Sequence, residues 1–489
     1  MTMGYVAFDL GASSGKLFSG RIAEGKLALQ EEYTFPNDIV CLGEGMYWNL
    51  MGIYSGLVRG LQRAEEREPV VSLGIDSFNN DFSLIDEAGE LLYPLRSYRD
   101  PRTRRYWREI FSRMSPRELY MYSGNQIAPF NTLMQLAAMR LGGQGYLLDN
   151  AHRLLMLPDL LGYYITGEEG IEYTLAAETQ MLDLVTREWI EPVLSCHEVP
   201  RSLLPVLREP GTILGRSTGE FNARHGLKGF DFVNVCEHDT ASAFLASPIG
   251  RDALYISSGT WALVGLETEA PVVNDFTYEK NIANEGGWPG CHRLLRNVMG
   301  YWLLQELRRD FALQGRQYTF PEMAALAEQA PAFRFPLDPD AEAFYLPGGM
   351  GEKIRAQCRK NLGRAPQSDG ELLRAVYEGL AMKYRYCFSL LEQAVGRKYH
   401  VVNIFGGGCR DSLCNQFVAD ACNRQVVAGP VNASAIGNIL VQAVARGQLA
   451  SIEEGRALVA ASFPLQSYYP REHGFWDSRY ADYLRLFGG

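Results

Sequence analysis

The sequence predicts an α/β protein of two domains, each a mixed sheet flanked by helices. Three observations point there. The chain opens as an antiparallel β-meander and turns into β/α alternation, which suits a mixed sheet covered by helices better than a purely parallel one. A hairpin of the same make recurs near mid-chain, where a second domain of similar size would begin. The 489 residues, 47% hydrophobic and 21% charged, leave room for more than one core at about 150 residues per domain.

Taken in order, residues 5–10 (YVAFDL) form a strongly apolar strand, followed by a turn over 11–15 and a returning strand over 17–21. A third β-run, 27–33, follows the short turn Glu24-Gly25-Lys26. Leu50, Ile53, Tyr54, Leu57 and Leu61 recur near helical spacing and predict an amphipathic helix over 50–63. Strands follow over 70–76 and 82–85, the second paired onward through the turn 86–90. Residues 101–207 read mostly as helices and loops. Residues 232–235 are a short apolar strand leading into a helix of small residues, 240–246. A second strand–turn–strand unit then runs through 254–257, Ser258-Gly259 and 261–266. A long helix over 371–395, a strand over 401–405, three glycines and a helix over 412–422 complete the chain. The division falls between domains 1–247 and 248–489.

Composition narrows the function. Lys+Arg 47 against Asp+Glu 57 gives a net charge of −10. Such a chain gains little from counterion release, so a nucleic-acid partner is not expected, while backbone N–H groups remain able to bind a small anion. The start has no basic segment followed by a long apolar run, so neither a secretory leader nor a membrane partner is expected. Nine cysteines at irregular spacing, without a CxxC pair, read as reduced thiols of a cytoplasmic protein. The sequence sets no oligomeric state.

Four short motifs carry chemistry. Asp9 ends an apolar strand, where an ionised carboxylate is costly unless paired or coordinated. Gly11, Ala12, Ser13, Ser14, Gly15 and Lys16 follow it with exposed N–H groups, two hydroxyls and an amine, which suits a phosphate chain with a divalent cation beside the acid. A hairpin whose Asp caps local N–H groups fits this motif equally well. Ser257-Ser258-Gly259-Thr260 repeats the chemistry on the second hairpin, where, taken singly, a polar β-turn is the better account. Gly406-Gly407-Gly408 between a strand and a helix lets a flat ligand approach the backbone, or serves a tight connection needing positive φ. His238-Asp239-Thr240 stands at a strand-to-helix junction, where α/β proteins bind ligands. There Asp239 is placed to accept a proton from a hydroxyl, or Asp239 or Thr240 to act as a helix N-cap. The basic, aromatic run Arg96–Arg108 reads as a solvated helix face plus one or two site arginines.

The order of these motifs resembles the actin-like (ribonuclease H-like) sugar kinase fold, and within it the FGGY family of carbohydrate kinases. The resemblance rests on DLGASSG at 9–15, GID at 74–76, DF at 81–82, YRDPRT at 98–103, SGNQIAPFNTLMQL at 123–136 and LLMLPDLLGYYITG at 154–167. It continues through EHDTASA at 237–243, SSGTWALVG at 257–265, NEGG at 284–287, RNVMGYWLLQE at 296–306, FGGGCRDSLCNQFVADAC at 405–422 and NASAIGN at 432–438. The NTLMQL stretch, with Asn131, Thr132 and Gln135, sides with the branch that acts on L-rhamnulose.

By this resemblance the active site lies in a cleft between the domains. Asp239 is the general base, Ala12–Lys16 surround the phosphates of ATP, Thr260 and Gln305 contact ATP, and Gly407 lies at the adenosine. His238, Asp239, Thr240 and Asn297 contact the sugar, and Mg²⁺ accompanies ATP near Asp9. The implied reaction moves the γ-phosphoryl of ATP to the C1 hydroxyl of the ketose. One departure stands out: where the family has Thr-Trp-Gly-Val-Asp-Phe, this chain has Ser77-Phe78-Asn79-Asn80-Asp81-Phe82. Asn79 replaces a glycine used at the sugar. That leaves kinases for L-fuculose, L-ribulose or D-xylulose as alternatives, and a non-catalytic sugar sensor as a rival of another class.

Overall fold

The structure is a computed structural model and describes residues 4–488. The elements that position the site are, in chain order, β1 (Gly4–Leu10), β2 (Ser14–Ala23), β3 (Lys26–Pro36), α1 (Leu50–Arg67), β4 (Val70–Ser77), β5 (Thr212–Arg216), β6 (Asp231–Asn234) and α2 (Asp239–Leu245). There follow β7 (Ala253–Ser258), β8 (Trp261–Thr268), α3 (Trp302–Leu313), α4 (Asp369–Val395), β9 (Val401–Phe405), α5 (Ser412–Cys422), β10 (Gln425–Ala428), α6 (Ala433–Ala445) and β11 (Gln466–Tyr468).

These elements pack as two compact units. One takes Met1–Pro248, Glu267–Leu294 and Ala433–Ser462; the other takes Ile249–Leu266, Leu295–Asn432 and Phe463–Gly489. The contiguous division drawn at residue 247 from sequence is therefore only the first of several crossings. Small residues draw α6 into the first unit: a methyl on Gly437 would overlap the Ser242 carbonyl, and one on Gly74 would meet the Asn438 amide. Helix and sheet approach each other as only glycine allows.

In the first unit a six-stranded sheet runs in the order β5-β6-β4-β1-β2-β3. The outer pairs β1/β2, β2/β3 and β5/β6 are antiparallel, while β1/β4 and β4/β6 are parallel. Phe8, Leu17, Leu73 and Ile75 pack with Ile53, Leu57 and Leu61 of α1 in one apolar core. That helix is capped by Asn49, whose side chain accepts from Gly52 N–H, and it runs one turn beyond the expected Arg63. In the second unit the strands lie in the order β8-β7-β9-β10-β11, with β7/β8 antiparallel and β7/β9 parallel. Each unit thus sets a hairpin on one side of its first strand and a parallel neighbour on the other, the likeness that the two Ser/Gly hairpins announce in sequence.

The middle of the first unit departs from the sequence expectation. Residues 153–156, RLLM, form a strand antiparallel to Phe82–Ile85, in a region expected to be mostly helices and loops. Four apolar residues running into a helix carry no period that separates strand from helix. A second apolar core around Leu133, Leu136, Met156, Tyr173 and Val193 fills this region. The basic run is also no single helix face. It breaks into helices Arg102–Arg105 and Trp107–Arg113, with Arg96 paired to Asp100 at 2.8 Å and Arg102 donating to Gln135 at 2.5 Å. All nine cysteines are thiols. Among the described residues no helix is long and apolar enough to cross a membrane.

Candidate functional site

The parallel pairing of β1 and β4 sets Asp9 directly beside Asp76, and the antiparallel pairing of β1 and β2 sets it opposite Lys16. Asp76 is fully buried, and sequence reasoning passed over it although it ends the quoted GID motif. Asn438 of α6 donates to its Oδ2 at 2.6 Å and is itself held by Gln442 at 2.7 Å. Its Oδ1 has no partner. Burial and the charge of Asp239 push the Asp9 carboxyl up to about 7, against the opposing pull of Lys16. Asp76 is raised too, first by burial, then by Asp9 and by Asp239. Asp9 and Asp76, side by side with an orphaned buried oxygen on Asp76, are oxygen donors of the kind a hard divalent cation takes.

The hairpin beyond Asp9 does not use that carboxyl as a cap. Gly11 N–H is given to Ser14 O at 2.9 Å, and Asn37 braces the tip by donating to Gly11 O at 2.9 Å and Ser13 O at 3.1 Å. Ser13 is exposed, Ala12 and Ser14 are half-buried, and the returning strand already begins at Ser14, earlier than expected.

Asp239 is the first residue of α2, and the N-cap position belongs to His238, whose side chain makes no cap hydrogen bond. The N-cap role that sequence allowed for Asp239 or Thr240 is thereby corrected. The Asp239 side chain keeps 29% of its surface exposed, whereas His238 keeps 4%. Thr240 Oγ1 donates to Asp239 Oδ1 at 3.0 Å. The loop that delivers these residues is tied from three sides. Glu237 N–H donates to Glu172 Oε2 at 3.2 Å, His238 N–H to Thr174 Oγ1 at 3.1 Å, and Ser77 N–H to Glu237 O at 2.8 Å.

Asn79 lies near this loop's support: its Nδ2 donates to Glu178 Oε2 at 3.2 Å. Neighbouring Asn80 has a left-handed backbone, φ 76, and donates to Asn79 Oδ1 at 2.6 Å. Its carbonyl accepts from Thr132 Oγ1 at 2.9 Å and from Gln135 Nε2 at 3.1 Å. Two residues of NTLMQL thus hold the conformation that presents Asn79.

In the second unit the turn between β7 and β8 meets the start of α3 and the glycine loop after β9. Thr260 Oγ1 lies 3.4 Å from Gln305 Oε1, and Trp302 N–H donates to Thr260 O at 3.1 Å. Gly406 has φ 84, and a methyl on Gly408 would overlap the Ser258 hydroxyl. Gly407 is exposed, with open space where a Cβ would stand. A short 3₁₀ turn, Gly407–Arg410, intervenes before α5, which Asp411 caps. Thr260, Gln305 and the glycine loop are thereby gathered in one place. Asn297 is half-buried on the strand His292–Met299 and belongs to this unit.

Residues 5–246 match the FGGY family of carbohydrate kinases, N-terminal domain, and residues 254–446 the C-terminal domain of the same family. The chain belongs to the FGGY family of carbohydrate kinases. Within this family it is 36% identical over 482 residues to a rhamnulokinase of Bacteroides thetaiotaomicron, covering 98% of each chain. It is 38% identical over 469 residues to a rhamnulokinase of Enterococcus faecalis, covering 95% of this chain and 94% of the other. Among solved structures, the xylulose kinase of Lactobacillus acidophilus superposes with a TM-score of 0.84 at 15% identity, covering 99% of this chain and 98% of that one. The gluconate kinase of Lactobacillus acidophilus gives 0.83 at 15% identity, with 100% and 98% covered. These two structures share the architecture of this chain.

Behind His238 sits a cluster that sequence reasoning missed. His238 and the carboxylates of Glu178 and Glu285 offer ligand atoms within 4.8 Å of one another, all buried. The cation among them is already supplied by Arg293, 2.9 Å from Glu285 and 3.5 Å from Glu178. Glu285 lies in the quoted NEGG and is pushed up to about 8 by burial and by Glu178.

Proposed function

We propose that this chain transfers the γ-phosphoryl group of ATP to the C1 hydroxyl of L-rhamnulose, giving L-rhamnulose 1-phosphate and ADP in the catabolism of L-rhamnose. The observation that carries this reading is the likeness, over nearly the whole of both chains, to curated rhamnulokinases. Asp239, partly exposed at the start of α2, takes the hydroxyl proton as the oxygen attacks phosphorus. His238, Thr240, Asn79 and Asn297 hold the sugar. The hairpin Ala12, Ser13, Ser14, Gly15 and Lys16 offers N–H groups, hydroxyls and an ammonium to the phosphates. Thr260 and Gln305 bind the nucleotide, and the open backbone at Gly407 receives the adenosine. Asp9, with Asp76 beside it, would hold Mg²⁺, which supplies positive charge next to the phosphates when bound. The scattered thiols suit a reducing compartment, the cytoplasm.

The test is ADP release from MgATP in the presence of L-rhamnulose, L-fuculose, L-ribulose, D-xylulose or glycerol. The reading expects L-rhamnulose to give the highest kcat/KM. Preference for another ketose would move the substrate and point to Asn79. ATP binding without turnover on any sugar would overturn the kinase reading in favour of a sensor.

A further inference from the structure

Arg293 does more to His238 than balance charge. Its Nη2 donates to His238 Nδ1 at 3.0 Å, and its Nε donates to Gly286 O at 2.7 Å. Both residues are buried, Arg293 to 1% and His238 to 3% exposure. A guanidinium has only donors and does not deprotonate in proteins, so the nitrogen facing it must carry a lone pair. The ring proton then sits on Nε2, and Nε2 lies 3.6 Å from Asp239 Oδ1. Glu285 and Glu178 pair with the guanidinium and stand 3.6 Å from the same Nδ1, beyond hydrogen-bond reach, so Arg293 holds the nearer contact; Glu178 is held in turn by Asn79 and Asn125, each at 3.2 Å.

We propose that Arg293 is a positioning residue that locks His238 as the neutral Nε2–H tautomer, a donor aimed at the Asp239 carboxylate or at a substrate oxygen. His238 in this form cannot accept a proton while the Arg293 bond stands, so Asp239 is left as the group that takes the hydroxyl proton. The catalytic consequence rests on the kinase reading; the tautomer does not. The arrangement also accounts for why an imidazole next to a general base does not compete with it. Burial first, and the Arg293 charge second, hold the His238 ring down to about 4, in line with a neutral ring at working pH.

The test uses full-length protein labelled with ¹⁵N-histidine. The chain has seven histidines, and the His238 signals are those missing from a His238→Gln variant. The groups facing the ring are Glu178, Asp239, Glu285 and Arg293. Between pH 6 and 8 the expected spectrum shows a lone-pair Nδ1 and a protonated Nε2 with no titration. Arg293→Met is made together with Glu285→Gln, which removes one of the two carboxylates the guanidinium pairs with; the other, Glu178, keeps its hydrogen bonds from Asn79 and Asn125. In this double variant the expected result is loss of the single tautomer, a fall in kcat of about ten- to a hundred-fold, and an ATP KM within about two-fold. A wild-type ring protonated on Nδ1, or a double variant that keeps both tautomer and kcat, would overturn the proposal. Absence of sugar phosphorylation with the tautomer intact would instead overturn the kinase reading, and with it only the catalytic part of the proposal.

Discussion

Asn79 is the departure from the family pattern that the proposed reading places at the sugar. A glycine there would present backbone alone; the asparagine brings an amide that Glu178 holds at 3.2 Å and Asn80 at 2.6 Å. Its orientation is therefore fixed before any ligand arrives, which favours a directed hydrogen bond over a steric block. Asn79→Gly removes one such bond, roughly 0.5–1.5 kcal/mol. Steady-state kinetics should show the sugar KM rising by about three- to ten-fold. The ATP KM should stay within about two-fold. An unchanged sugar KM would remove Asn79 from the sugar site. Asp239 was legible in sequence because a carboxylate at a strand-to-helix junction is conspicuous. Arg293 was not, because its meaning depends on Glu178, His238 and Glu285, which only the fold assembles.

The glycine loop after β9 carries two predictions of opposite character. A methyl on Gly408 would collide with Ser258 and the Tyr301 ring, so Gly408→Ala should disturb the loop and lower the melting temperature. A methyl on Gly407 meets nothing. Gly407→Ala should melt like the parent protein and, on the proposed placement of the adenosine, bind ATP about ten-fold more weakly, as titration calorimetry would show, because the added carbon would take the space proposed for it. Unchanged ATP affinity would put the nucleotide elsewhere. The hairpins on either side of the chain were readable because apolar runs flank Ser/Gly turns. The strand Arg153–Met156 was hidden, since its partner Phe82–Ile85 lies far away in sequence and its four residues show no alternation.

At the scale of the whole molecule the buried carboxylates set the sign of the pH dependence. Glu285 is raised to about 8, and Asp9 and Glu172 to about 7, in each case chiefly by burial. Between about pH 6.5 and 8 the folded chain keeps protons that the unfolded chain, with ordinary carboxyl values near 4, has already released. Stability from these groups is thus present at the lower pH and lost as pH rises through the folded values. His197 and His238, both lowered to about 4, oppose this weakly near pH 6.5, where the unfolded chain still binds their protons in part, but that opposition fades by about pH 7.5 and is outweighed by the three carboxyls. Thermal melts should give a lower midpoint at pH 8 than at pH 6.5, by on the order of a few degrees. Glu285→Gln should shrink the difference. A higher midpoint at pH 8 would refute this account. The two-domain α/β class was visible from strand order, while the interleaving of the units was not: the return of α6 to the first unit depends on the close approach at Gly437 and Gly74.

The central claim is that Asp239 takes the proton from the sugar hydroxyl, and Asp239→Asn tests it most directly. The variant keeps the size of the side chain and its contact with Thr240, so ATP should bind within about three-fold of the parent protein. Single-turnover phosphoryl transfer from MgATP to L-rhamnulose should fall by about 10²–10⁴-fold. Turnover within about ten-fold of the parent would contradict the account.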